Sequence, residues 1–326
     1  MANTNKQFQD YNNNLSIPSS KRTKMNEARE ASRTKITNHF NEHHSDYPIS
    51  FWIQGSHKNG LNIRTEDDNC DQDDGIYINR DPNDSVDGTT LMEWVYDAIK
   101  DDTSEGAQIK NRCVRKFYKP YNMGSYHIDY PVYYKTEDID HPMLAVKNEE
   151  LEESDPQEFT EWLQSQKDEN GQLVRNIKYL KGWCGYMSQF HEMVNGLTLS
   201  VLVCNNVVFI QGRDDKSLYE TLLGVQSDLI NKWECKMPST PFDDLLAKYD
   251  YSFQKTFMAA LDNLITDAKQ ALNEDCKHEA SKLWKKHLGT RYPLAEKKVG
   301  QSESDNGKRA ALAGLVGNNK PYYNGR

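Results

Sequence analysis

The spacing of apolar residues divides the chain into an early part that mixes helices with strands and a later part made of helices. Apolar and small residues recur every three or four positions between residues 19 and 44, which predicts one long helix. The period then shortens to two, and the segments rich in Val, Ile and Tyr are predicted as strands: residues 49–54, 71–78, 112–118 and 126–134. A shorter helix is predicted over residues 91–99. Residues 1–19 are rich in Asn with scattered apolar positions, so no element is predicted before the long helix.

Strand signals fade after about residue 145, and helical periods take over. Asp155 followed by Pro156 is typical of a helix start, because Asp caps free N–H groups and Pro fits the first helical position. Two further helices are predicted over residues 177–194 and 242–272. The last segment is rich in Gly, Asn and Ser and is predicted to be a flexible tail. We therefore expect three parts: an α/β domain over residues 1–150, a helical domain over 151–299 and a tail over 300–326.

Composition and charge narrow the class of protein. The chain has 326 residues, enough for two lobes at roughly 150 residues per domain. Its 49 Asp and Glu outnumber its 40 Lys and Arg, which gives a net charge of −9 and disfavours sequence-independent binding to long nucleic acids. A small phosphorylated ligand stays possible, since a metal ion can bridge acidic groups to an anion.

The six cysteines form no CxxC pair and no stretch is long and apolar enough for an export signal or a membrane span, so a cytoplasmic protein is expected.

A Gly-Ser turn follows the first predicted strand. In Gln54-Gly55-Ser56 the Gly lets the backbone approach a phosphate closely, and the Ser offers a hydroxyl. Dipeptides of this kind are also ordinary turn material, so the signal by itself is weak.

Two carboxylates lie side by side where the second predicted strand begins. The period of two places Asp71 and Asp73 on one face and Asp74 on the other. Neighbouring carboxylates repel, and a hard divalent cation such as Mg²⁺ or Mn²⁺ would relieve that repulsion. An acidic turn without function is the alternative, but the apolar strand that follows argues against it.

A third carboxylate, Asp129, interrupts a predicted strand of aromatic and β-branched residues. Burying an unpaired carboxylate there is costly, so Asp129 needs a cation or a set of hydrogen-bond donors. A structural ion pair and a metal ligand are both compatible with this position.

Taken together, the three segments resemble the polymerase-β-like nucleotidyltransferases. Within that superfamily the chain is similar to the bacterial CD-NTases, relatives of cyclic GMP-AMP synthase, and most similar to the branch of the bacterial cyclic GMP-AMP synthases. The motifs that carry the resemblance are Gln54-Gly55-Ser56, Asp71-x-Asp73-Asp74-Gly75, His127-Ile128-Asp129-Tyr130-Pro131-Val132 and, in the helical half, Arg175-x-x-Lys178-x-x-Lys181-x-Trp183. The resemblance implies an α/β (α+β) palm with a mixed sheet, followed by a C-terminal helical bundle lobe.

The resemblance also implies the chemistry. Asp71, Asp73 and Asp129 would be catalytic and would hold two divalent ions, Mg²⁺ or Mn²⁺. The donor nucleotide would be bound by Gln54, Gly55, Ser56, Lys181 and Ser200, whereas Lys178 is a weaker candidate than Lys181.

The implied function is a cyclic oligonucleotide synthase of a bacterial anti-phage signalling system. It would join NTPs, ATP and GTP among them, into a cGAMP-like cyclic dinucleotide, or into a cyclic trinucleotide, with release of pyrophosphate. Two alternatives stay open: a nucleotidyltransferase that acts on RNA or another small acceptor, and a nucleotide-binding module without catalysis. The resemblance further implies a ubiquitin-transfer-like partner acting on the C-terminus, at residues 318–326.

Overall fold

The computed structural model describes residues 1–81, 83–101, 105–119 and 124–297. Its helices are α1 (Asn5–Leu15), α2 (Ser19–His43), α3 (Gly55–Asn59), α4 (Gly88–Ile99), α5 (Pro156–Ser165), α6 (Gln172–Met187), α7 (Gly196–Asn206), α8 (Asp214–Asn231), α9 (Tyr251–Asn273) and α10 (Lys277–Leu288). Its strands are β1 (Ile49–Gln54), β2 (Cys70–Ile78), β3 (Ala107–Ile109), β4 (Val114–Tyr118), β5 (Tyr126–Tyr130), β6 (Val132–Tyr134), β7 (Met143–Leu144) and β8 (Glu152–Glu153).

All the strands belong to one mixed sheet. Its order is β3-β4-β5-β2-β6-β7-β8, and β1 pairs with β2 from the other side. Strand β2 is parallel to β5 and β6 and antiparallel to β1, while β4 is antiparallel to β5. The predicted strands are confirmed, but the segment 126–134 is two strands rather than one, because Pro131 has no N–H to donate to the ladder.

The long helix α2 and the shorter α4 pack on this sheet. Ile36 and Phe40 of α2 are fully or almost fully buried in the same apolar cluster as Leu91 and Val95 of α4. The two helices therefore fix the sheet from one side, and the prediction of both helices is confirmed.

A second apolar core fills the helical half, and α1 belongs to it. Phe8 packs edge-on against Tyr179, Trp284 and Tyr292, with ring centroids 4.9–5.2 Å apart. Our expectation that residues 1–19 hold no element is wrong, since Phe8 and Leu15 face this core along one side of a helix. The domain boundaries at residues 150 and 299 stay a prediction.

Three other expectations need correction. No element is predicted between the first two strands, but α3 (Gly55–Asn59) lies there. The last long helix starts at Tyr251 instead of residue 242, because Asp250 caps it by accepting the N–H of Phe253. Helix α6 covers Gln172–Met187 rather than residues 177–194.

The helices of the described part of the chain include none with the length and apolarity that crossing a bilayer requires. The predicted tail over residues 300–326 lies outside the described residues.

Candidate active site

The register of three neighbouring strands brings the predicted site residues together. Gln54 at the end of β1 pairs with Asp73 of β2, and Asp73 pairs on its other side with Asp129 of β5. Paired residues on adjacent strands lie about 5 Å apart, and Asp71 is two residues from Asp73 on the same face. The topology thus places three carboxylates from two parallel strands side by side.

The pKa of the Asp73 carboxyl is shifted by its surroundings. Its pKa is raised to about 8, first by burial and then by the negative charges of Asp71 and Asp129, while Lys181 and Arg115 act in the opposite direction. Three acidic groups that influence one another in this way form a site that favours positive charge.

Asp74 lies on the opposite face, as the alternation of the strand predicts. Its carboxylate is fully buried and accepts two hydrogen bonds from Arg33 of α2, at 2.6 and 2.7 Å. Burial raises the pKa of Asp74, and the Arg33 guanidinium opposes that shift. Asp74 therefore joins the sheet to α2 and does not belong to the group of Asp71, Asp73 and Asp129.

Gly55 is required by its contact with Asp73. Its φ of +65° is in the left-handed region, and a Cβ added there would lie 2.2 Å from Oδ2 of Asp73. Any larger residue would push the Asp73 carboxylate out of place. The Gly-Ser turn is thus shaped around the central carboxylate.

Ser56 and Lys181 form a bridge between the sheet and the helical half. The ammonium of Lys181 in α6 donates to Oγ of Ser56 at 2.8 Å and to the carbonyl of Leu61 at 3.1 Å. Burial lowers the pKa of Lys181, and the charges of Asp71 and Asp73 raise it. A hydroxyl and a partly desolvated ammonium beside carboxylates suit the phosphates of a nucleotide.

The weaker candidate, Lys178, has a different environment. It donates to Oγ of Ser16 at 2.9 Å, and burial, followed by Arg22 and Lys181, lowers its pKa to about 8. This hydrogen bond joins Lys178 to the segment between α1 and α2, away from the Gly-Ser turn.

Gln54 and Ser200 are both buried and already hydrogen-bonded. The Gln54 amide donates to the hydroxyl of Tyr133 at 3.0 Å, and Oγ of Ser200 donates to the carbonyl of Gly196 at 2.7 Å. Both residues line a cavity next to Asp73. Their predicted contact with nucleotide stays a prediction.

Two cavities of about 750 Å³ each adjoin the carboxylates, and both are of the size that holds a small ligand. Asp71 and Lys181 line the first, and Asp73 and Ser200 line the second. The walls that both cavities share are Ser56, Asn195, Gly196 and Leu197. Asp71 and Asp73 therefore each line one of two neighbouring compartments.

Arg115 is a site residue that the sequence did not single out. Its guanidinium donates to both oxygens of Asp129, at 2.7 and 2.8 Å, because Arg115 of β4 pairs in register with Asp129 of β5. The only signal was a pair of charged residues, Arg115 and Lys116, inside a predicted strand, and the register that gives Arg115 its partner cannot be read from the sequence.

A second group of possible metal ligands lies at the start of α5. One ligand atom each of His141, Asp155 and Glu158 falls within 4.8 Å of the others. The carboxylates already have structural partners, since Asp155 caps α5 and Glu158 accepts the N–H of Thr240. We regard this group as a cap and not as the predicted metal site.

Comparisons with known proteins agree with this architecture. The family described as "Cyclic GMP-AMP synthase DncV-like, nucleotidyltransferase domain" matches residues 48–133, which contain β1, β2, β5 and the three carboxylates. A curated cyclic GMP-AMP synthase from Escherichia albertii is 25% identical over 190 residues, which are 54% of this chain and 41% of that protein. The alignment thus spans less than half of the relative's length.

Solved structures extend the similarity of fold over most of the chain. Vibrio cholerae DncV in complex with a linear intermediate, 5′ pppA(3′,5′)pG, superposes with a TM-score of 0.75 at 16% identity, covering 90% of this chain and 99% of that one. Escherichia coli DncV bound to 3′-deoxy GTP gives a TM-score of 0.70 at 16% identity, covering 85% and 93%. Residues 48–133 thus match the DncV-like nucleotidyltransferase domain, and the fold of the chain is similar to that of the solved DncV structures.

Proposed function

We propose that the protein is a metal-dependent cyclic oligonucleotide synthase, which joins two NTPs into a cyclic dinucleotide and releases pyrophosphate. The observation that carries the proposal is the strand register, which pairs Asp73 with Asp129 two residues from Asp71, together with two cavities that share a wall, one lined by Asp71 and the other by Asp73. The Vibrio cholerae relative is described as a cyclic AMP-GMP synthase, which supports ATP and GTP as the substrates here.

The donor set fits divalent metal ions. The three carboxylates supply hard oxygen ligands, and the pKa of Asp73 is raised by burial and then by the negative charges of Asp71 and Asp129, which a cation would offset. We assign all three as ligands of two ions, Mg²⁺ or Mn²⁺, which when bound neutralise the entering and leaving oxygens of the transfer.

The residues of the chain itself bind and orient the nucleotides. Ser56 and Lys181 would hold the donor triphosphate, and Gly55 leaves the space that lets Asp73 and the phosphates approach each other. Asp129 would lie on the side of the acceptor sugar. In the reaction an acceptor hydroxyl oxygen bonds to the α-phosphorus, the hydroxyl proton leaves, and the bond to the pyrophosphate group breaks.

Closing a ring needs the same transfer twice. Two compartments on either side of Ser56 and Leu197 allow two nucleotides to bind next to one acidic group. The linear product would then turn so that its remaining triphosphate becomes the donor. The arrangement supports a dinucleotide product.

The wider role follows from the family. We propose that the cyclic product is a second messenger in a bacterial anti-phage signalling system, made in the cytoplasm. A ubiquitin-transfer-like partner at the C-terminus stays a prediction, since residues 318–326 lie outside the described residues.

One incubation distinguishes this function from its alternatives. The full chain is incubated with all four NTPs and Mg²⁺ or Mn²⁺, and the products are treated with phosphatase and identified by mass spectrometry. A phosphatase-resistant cyclic dinucleotide is expected. Extension of an added RNA or another small acceptor would indicate the alternative transferase, and nucleotide binding without pyrophosphate release would indicate a binding module.

A further inference from the structure

Arg115 is hydrogen-bonded to the same Asp129 oxygens that would bind a metal ion. Both carboxylate oxygens of Asp129 accept hydrogen bonds from the Arg115 guanidinium, at 2.7 and 2.8 Å. Planar bidentate pairs of this kind are among the stronger polar contacts in proteins, and this one is shielded because the Asp129 side chain is only 13% exposed. A cation that binds Asp129 must either displace one of these hydrogen bonds or use the remaining lone pairs of the two oxygens, close to the positive charge of Arg115.

The positive charge of Arg115 also acts on the other carboxylates of the site. Lys181 and Arg115 are the cations that act on the Asp73 carboxyl, and Lys181 is held by Ser56 and by the carbonyl of Leu61. Arg115 therefore compensates the carboxylate that faces Asp73 across the β2–β5 pair. Its positive charge stays beside the acidic group and repels any further cation.

We propose that Arg115 is a built-in competitor of the divalent cation, which keeps metal affinity low until a nucleotide brings its own negative charge. The inference rests on the proposed function, because it takes Asp129 to be a metal ligand. Arg115 is in this sense a positioning residue: it holds Asp129 in place and weakens metal binding to the nucleotide-free protein. The triphosphate of an NTP would offset the Arg115 charge, so metal and nucleotide would bind together.

The direct test is a titration of the full chain with Mn²⁺ in the absence of nucleotide. Electron paramagnetic resonance or calorimetry measures the Mn²⁺ that binds. Arg115→Gln should bind Mn²⁺ about three- to tenfold more tightly than the wild type, because one nearby positive charge is removed. Arg80→Gln is the matched control, since Arg80 pairs with Asp84 beyond the other end of β2 and its loss changes the net charge equally. The control should leave Mn²⁺ affinity unchanged.

Arg115→Lys gives an independent check in case the Gln variant folds poorly. Lys keeps the charge but has no bidentate fork, so Mn²⁺ affinity should rise by about twofold only. Equal or weaker Mn²⁺ binding by both folded variants would overturn the inference. Saturating non-hydrolysable NTP should reduce the difference between Arg115→Gln and the wild type, and an undiminished difference would contradict the coupling to nucleotide.

Two further variants separate a failure of this inference from a failure of the proposed function. In an Asp129→Asn background the Arg115→Gln change should no longer strengthen Mn²⁺ binding, and persistence of its effect would refute competition at Asp129. Asp73→Asn tests the metal site itself. If Asp73→Asn abolishes Mn²⁺ binding while Arg115→Gln has no effect, the metal site is supported and the proposed role of Arg115 is refuted. Undiminished Mn²⁺ binding by Asp73→Asn would instead remove the metal site on which both proposals depend.

Discussion

At the scale of single residues, burial and the neighbouring carboxylates make an ionised Asp73 destabilising to the folded protein when no metal is bound. An ordinary Asp side chain ionises near pH 3.8, whereas the pKa of folded Asp73 is raised to about 8. Between these values the folded chain retains a proton that the unfolded chain has lost, so this group makes stability fall as pH rises from about 4 to 8.

Asp73→Asn should therefore stabilise the metal-free protein, and more so at pH 8 than at pH 5. Thermal unfolding in a chelating buffer measures this as the difference in melting temperature between variant and wild type. Added Mn²⁺ should stabilise the wild type and leave the variant unaffected. A melting-temperature difference that does not change with pH would show that Asp73 ionises normally.

Gly55 offers a second test at this scale. Gly55→Ala should reduce turnover by about 100-fold, because its Cβ would displace the central carboxylate by an ångström or more. Gly60→Ala is the matched control: Gly60 also has a positive φ, of +73°, but an added Cβ there meets nothing within 4 Å. Both variants bear a backbone cost of about 1–3 kcal/mol, so only the loss of turnover should distinguish them. Similar turnover in the two variants would contradict the role of Gly55.

At the scale of elements, the contact between α6 and the Gly-Ser turn is the feature to which the proposed function assigns the donor nucleotide. Lys181→Met should raise the KM for NTP by at least about tenfold, since it removes a charge beside the phosphates while Ser56 remains. Lys178→Met, one turn earlier on the same helix, should leave KM unchanged, because Lys178 contacts Ser16 instead. Steady-state kinetics of both variants measure the difference. A comparable rise in KM for both would indicate a general loss of positive charge.

The sequence predicts features that depend on one element and misses those that depend on two elements packing together. The three carboxylates were predicted because alternation along β2 and a charged residue within β5 are local signals. The pairs Arg115–Asp129 and Arg33–Asp74 were missed, because each depends on how one element registers or packs against another. Helix α3 was missed because five polar residues after a strand do not differ from a loop in pattern.

At the scale of the whole molecule, α1 connects the start of the chain to the helical half. The signal was present in the spacing of Phe8, Tyr11 and Leu15, but Asn-rich intervening residues have low helix propensity and hid it. Tertiary burial outweighs that propensity, since all three side chains are at most 1% exposed.

Phe8→Ala should accordingly lower the free energy of unfolding by about 3–5 kcal/mol, because it empties the space between three aromatic rings. Gln9→Ala, an exposed neighbour on α1, should change it by less than about 0.5 kcal/mol. Chemical denaturation of the two variants provides the comparison. A small effect of Phe8→Ala would mean that α1 contributes little to the fold.

The central claim is that Asp71, Asp73 and Asp129 act as one catalytic group, and pyrophosphate release from NTPs tests it most directly. Each single Asp→Asn variant should lower the rate by at least about 1,000-fold, since the three carboxylates work as a unit. Asp81→Asn, an exposed carboxylate beyond the opposite end of β2, should retain the wild-type rate. Near-normal release from a folded Asp71, Asp73 or Asp129 variant would contradict the account.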